Sequence, residues 1–66
     1  MMNRGYEPRI LHTAEDIASA MGVSTERIKE WSLQGAPILV EGEGKRRRYR
    51  AEVMELWQWR IENNKT

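Results

Sequence analysis

Apolar positions along the chain change period twice, and each period predicts an element. Ala14, Ile17, Ala18 and Met21 recur at i, i+3, i+4 and i+7, which places them on one face of a short helix. Ile10 and Leu11 form an apolar pair just ahead of it. Thr13 followed by Asp16 resembles a capping box with Asp in place of Glu, and Glu15 and Asp16 suit the positive end of the helix dipole. Gly22 stands where a left-handed residue would close the helix. Ser24 is a good N-cap for a second helix. The buried side of that helix would carry Ile28, Trp31 and the edge of Gly35, and its other side Thr25, Glu26, Lys29, Glu30 and Leu33. Gly35, Ala36 and Pro37 would end it, with glycine as the C-cap.

Beyond Pro37 the period shortens to two. Ile38, Leu39 and Val40 form a β-prone run, Glu41-Gly42-Glu43-Gly44 reads as a turn, and the segment through Tyr49 can return as a second strand. Alternation along that strand would turn Tyr49 toward the core and Arg48 and Arg50 outward. A third helix is predicted from about Ala51, with Val53, Leu56, Trp57 and Ile61 on its buried face. Arg60 would lie at the edge of that face with its head in water. Trp59 would point away, as a dimer contact, a lid over Tyr6 or the leader, or a simply exposed ring. Residues 1–9 read as a loose leader, 10–62 as one domain and 63–66 as a frayed tail. The expected fold is mainly α, with three helices and a small two-stranded β-hairpin.

Composition narrows the function classes. A chain of 66 residues holds one domain with a thin core. It has no cysteine and a single histidine, His12, so neither a disulfide framework nor a zinc site is expected, and no cofactor. No apolar run approaches the roughly 20 residues of a membrane span, and Arg4 is followed by no apolar stretch of a signal peptide. A cytoplasmic location is expected. No nucleophile–base pair stands out, so an enzyme is not expected. Gly42 and Gly44-Lys45 do not make a phosphate loop, because no GKS/T ending and no following helix accompany them.

Charge is the more telling property, through its distribution. The net charge is only +1, yet residues 1–44 hold four basic and seven acidic side chains. Lys45, Arg46, Arg47, Arg48 and Arg50 then place five cations in six positions, around Tyr49. Such a block marks a partner with many negative charges. Two short helices joined through Gly22, with small Ala18 at their crossing and Ile28 and Trp31 packing back, form a helix-turn-helix whose second helix is free to enter a major groove. An arginine-loaded hairpin directly after it points to double-stranded DNA.

On these residues the chain resembles the excisionase and mercury-resistance-regulator type of winged helix-turn-helix over residues 10–61. The resemblance runs through residues 13–18, Met21-Gly22-Val23-Ser24, Ile28, Trp31, Gly35, the arginine–tyrosine strand, Val53 and Trp57. It is also similar to the N-terminal DNA-binding domain of lambda-type phage terminase small subunits, through Gly22, Ser24, Ile28, Trp31, residues 34–39, Gly42, Gly44-Lys45, Tyr49, Val53 and Trp57. The third helix departs from the usual pattern, since Arg50 is a poor N-cap.

The resemblance implies a sequence-specific duplex-binding protein of phage or prophage type, with an excisionase-like, architectural role. DNA packaging is the alternative role, and a protein-interaction module is the alternative class. By the geometry of such folds, Ser24 and Thr25 would lie near phosphate, Arg27 and Lys29 would reach bases or phosphates, and Lys45, Arg46, Arg47, Arg48 and Arg50 would grip the minor groove or backbone. Expected partners are duplex DNA and either a second copy or a phage protein such as an integrase or large terminase subunit.

Overall fold

The computed structural model describes residues 8–63. The elements run β1 (Ile10–Leu11), α1 (Ala14–Met21), α2 (Thr25–Leu33), β2 (Ile38–Glu41), a 3-10 turn (Gly44–Arg46), β3 (Arg48–Glu52) and α3 (Val53–Asn63). Three helices thus pack with one antiparallel sheet in the order β1-β3-β2. The sheet has three strands where a two-stranded hairpin was expected. Ile10 and Leu11 pair with Glu52 and Ala51, and Val53 N donates to Arg9 O at 3.0 Å. Arg9, assigned above to the loose leader, is therefore fastened to the junction of β3 and α3. The rest of the leader reading concerns residues 1–7, which lie outside the described residues. Likewise Asn63 is the last residue of α3, and the remainder of the tail lies outside them.

Both helix starts read from the sequence form as expected. Thr13 Oγ1 accepts from Asp16 N at 3.0 Å, and Ser24 Oγ accepts from Arg27 N at 3.1 Å, each satisfying one free donor of a first turn. Gly22 ends α1 at φ 72°, and Val23 N reaches back to Ala18 O while Gly22 N reaches Ser19 O. This six-to-one and five-to-two pattern is a Schellman motif, which requires a left-handed residue at Gly22. It turns the chain through Gly22, Val23 and Ser24 directly into α2. At the end of α2 the six-to-one bond recurs, with Ala36 N donating to Trp31 O at 3.1 Å; Gln34 is the cap and Gly35, one residue on, holds φ 94°.

α1, α2, α3 and the inner sheet face share one apolar core. Ile17, Ile28 and Leu56 are fully buried, and Ala14, Ala18, Met21, Trp31, Ala36, Ile38, Tyr49 and Ala51 complete the cluster. Among the described residues no charged residue is buried there. Leu11, Ala51 and Ile38 form a row across the three strands, so the two-residue strand β1 contributes Leu11 to this core. Each fully buried aliphatic side chain contributes about 1.5–3 kcal/mol, and that term sustains so small a fold.

Three expectations for the third helix are corrected. It starts at Val53, because Ala51 and Glu52 continue β3 between its two neighbours. The cap is Glu52, whose carboxylate accepts from Met54 N at 3.1 Å and Glu55 N at 2.9 Å, and also from Arg9 N at 3.4 Å. The helix is also rotated from the expected face. Leu56 is buried and Val53 partly so, but Trp57 and Ile61 are exposed, and Trp59 packs on the core with its ring 5.7 Å from that of Trp31. Arg60 turns inward: its Nη1 donates to Met21 O at 3.0 Å, and its guanidinium stands 5.4 Å from the Trp31 ring and 5.2 Å from that of Trp57. The carbonyl it reaches belongs to the last turn of α1, where no intrahelical donor remains. A cation held there by one hydrogen bond and two ring faces fixes the rotation of α3.

Candidate nucleic-acid interface

The hairpin of β2 and β3 is built from side chains that alternate as its sequence dictates. Ile38 pairs with Ala51, Leu39 with Arg50, Val40 with Tyr49 and Glu41 with Arg48. Tyr49 is buried while Arg48 and Arg50 are exposed, as the period of two requires. Between the strands, residues 42–47 make a tight connection in which Arg46 N donates to Glu43 O at 3.0 Å and Arg47 N to Gly44 O at 3.2 Å. Gly42 sits at φ 82°, and a Cβ there would run into the carbonyl oxygen of Arg46. Gly44 at φ 56° has open space instead.

Gly42→Ala is therefore expected to cost about 2 kcal/mol or more, from left-handed strain together with that collision. Gly44→Ala should cost only the strain. A thermal melt of both variants checks this order; equal losses would mean that the connection relaxes freely around residue 42.

The loop brings its cations to the helices. His12, Thr13, Ala14 and Glu15, Lys29 of α2, and Gly44, Lys45, Arg47, Arg48 and Tyr49 line one cleft of about 660 Å³. Four cations from α2 and the hairpin meet there with a single carboxylate, Glu15. Among the described residues, none of Lys29, Lys45, Arg47 and Arg48 has an ion-pair partner. The cleft is thus a concave surface on which, among the described residues, four cations face one carboxylate and none of the four is ion-paired.

The nine residues singled out from the sequence divide accordingly. Lys29, Lys45, Arg47 and Arg48 converge on the cleft. Arg46 is exposed on the same loop but does not line it. Arg27 and Arg50 carry partners, Glu30 at 3.6 Å and Glu41 at 3.3 Å, and Arg50 borders a different groove, beside Ile10, Pro37 and Leu39. These two ion pairs are about half exposed and contribute little to stability, but each sets a carboxylate against the charge of its guanidinium. Ser24 is engaged as the α2 cap, and Thr25 is half-buried beside it.

No family model, no curated protein and no solved structure matches this chain.

Sequence reasoning overlooked His12 and Thr13 as cleft residues. They reach it because β1, immediately before them, is paired to β3. A two-residue strand gives too short an alternation to be read, and its partner lies far along the chain. The side of α2 facing outward carries Glu26, Lys29, Glu30 and Leu33, all exposed. With Glu30 on Arg27, this helix offers one free lysine and one free carboxylate, a weak electrostatic surface by itself. The hairpin must supply most of the attraction for any polyanion.

Proposed function

We propose that this protein binds double-stranded DNA as a winged helix-turn-helix module, with α2 presented to the major groove and the β2–β3 hairpin as a wing against the adjoining backbone and minor groove. The observation that carries this reading is the convergence of Lys29, Lys45, Arg47 and Arg48 on one cleft, with no ion pair to any of them among the described residues. Phosphates are the complementary charge, and their neutralisation releases condensed counter-ions. A three-residue turn holds α2 beside α1 with its polar side outward, the arrangement by which a helix enters a groove about 12 Å wide. Base readout is limited, since Lys29 is the one free cation on α2; shape and charge dominate.

Such a module fits an excisionase-like, architectural role in a phage or prophage, with DNA packaging as the alternative. A single weak module calls for repeated sites, a second copy or a phage partner protein.

Titration of a labelled duplex with salt tests the reading. Four phosphate contacts predict that log K falls against log salt with a slope of about −3.6. No binding to any duplex near 50 mM salt would overturn it and favour a module that docks on an acidic protein.

A further inference from the structure

His12 is the sole histidine of the chain, and no residue role in the DNA reading uses it. Its backbone is fixed on both sides: Leu11 is paired to Ala51 in the sheet, and Thr13 is the cap of α1. The exposed imidazole lines the cleft that receives Lys29 from α2, Lys45 from the 3-10 turn, Arg47 from the connection and Arg48 from β3. The remaining ionisable groups facing it are Glu15 of α1 and the phenol of Tyr49. Among the described residues Glu15 is the carboxylate that lines the cleft with the ring, and no ion pair or hydrogen bond joins the two.

We propose that His12 is a fifth phosphate ligand of the cleft, and that its contribution to duplex binding depends on pH. This rests on the duplex-binding reading above. A phosphate drawn in by the four cations brings negative oxygens beside the imidazole, and a neighbouring anion favours the protonated ring. Imidazole is also the one side chain that ordinarily changes charge between pH 5 and 8. Binding in that interval takes up a proton: the ring nitrogen gains it from solvent and donates it as a hydrogen bond to a phosphate oxygen. Above it the neutral ring remains in place without its charge, so the protein holds DNA by four contacts in place of five.

The signature is a change in the salt slope, which a residue of purely structural importance would not produce. Each added phosphate contact steepens the slope by about 0.9. Duplex affinity of the wild type and of His12→Gln would be measured across salt at pH 6 and pH 8 by anisotropy. The wild type is expected to show a slope steeper by about 0.9 at pH 6, with about eightfold tighter binding at 0.1 M salt. His12→Gln should give the shallower slope at both pH values, and His12→Lys the steeper one at both. An unchanged wild-type slope between the two pH values would overturn the role of His12 while leaving duplex binding intact. So would a His12→Gln protein that kept the wild-type pH dependence. Absence of duplex binding at both pH values would remove the functional reading, and this inference with it.

Discussion

Replacing Arg47 and Arg48 together by alanine is expected to weaken duplex binding about sixtyfold at 0.1 M salt and to flatten the salt slope by about 1.8. The magnitude follows from counter-ion release: two lost phosphate contacts remove a factor that scales with salt concentration to the power of about −1.8, so the loss grows as salt is lowered. Both side chains line the cleft, and neither has an acidic partner among the described residues. Their whole charge is available to a polyanion.

The same substitution at Arg27 and Arg50 is the natural comparison. Those guanidiniums lie beside Glu30 and Glu41, so removing them also releases a carboxylate from its pair, and neither lines the cleft. A much smaller loss is expected there, although the two doubles change net charge identically. Arg46→Ala should also act weakly, through long-range charge alone. Equal effects of the two doubles would show that binding responds to total charge and that the cleft has no special role. The measurement is a salt series on one duplex for each variant.

Ile28→Ala is expected to remove most of the stability of the fold. Ile28 is fully buried on α2, in the core cluster with Ile17 and Ala18 of α1 and Leu56 of α3. Truncating such a residue costs about 2–5 kcal/mol, from lost burial and from the cavity left behind. A domain of this size is stabilised by only about 3–10 kcal/mol in total. The melting temperature should fall by about 15 °C or more, and at the upper end of the cost no cooperative transition survives. Leu33→Ala, five positions along the same helix, should leave the melt nearly unchanged, because Leu33 is 88% exposed. Circular dichroism on the two variants decides the matter. A shift below about 5 °C for Ile28→Ala would mean that α2 does not pack on α1 through this residue.

What could be read from the sequence was what depends on neighbours in the chain. Thr13, Gly22 and Ser24 set helix boundaries through bonds spanning three to five residues, and the apolar spacing of α1 fixed its buried face. The alternation of Arg48, Tyr49 and Arg50 was similarly local. Features that depend on distant partners were misread or missed. The pairing of Ile10 and Leu11 became visible only with β3 beside them, and with it the position of His12. Glu52 was overlooked as a cap because shorter side chains usually hold that place. For α3, Trp57 and Trp59 offer similar apolar bulk on nearly opposite faces, and the choice between them was made by Trp31 and by the Met21 carbonyl that Arg60 reaches. Of the nearly even set of candidate cations, the ion pairs of Arg27 and Arg50 separated the neutralised from the free.

The short strand β1 carries a kinetic consequence. The α1–α2 turn and the β2–β3 hairpin each close over a few residues, and such local units assemble early. The bond from Arg9 N to Glu52 joins positions 43 residues apart, and the β1 ladder closes a loop of similar span with only two paired residues. Loop-closure entropy opposes that step, and little pairing repays it, so the strand that places His12 is the last part of the sheet to dock and the first to open. The amides of β3 that face β1 would then exchange with solvent through this partial opening while the helices and the hairpin stay closed.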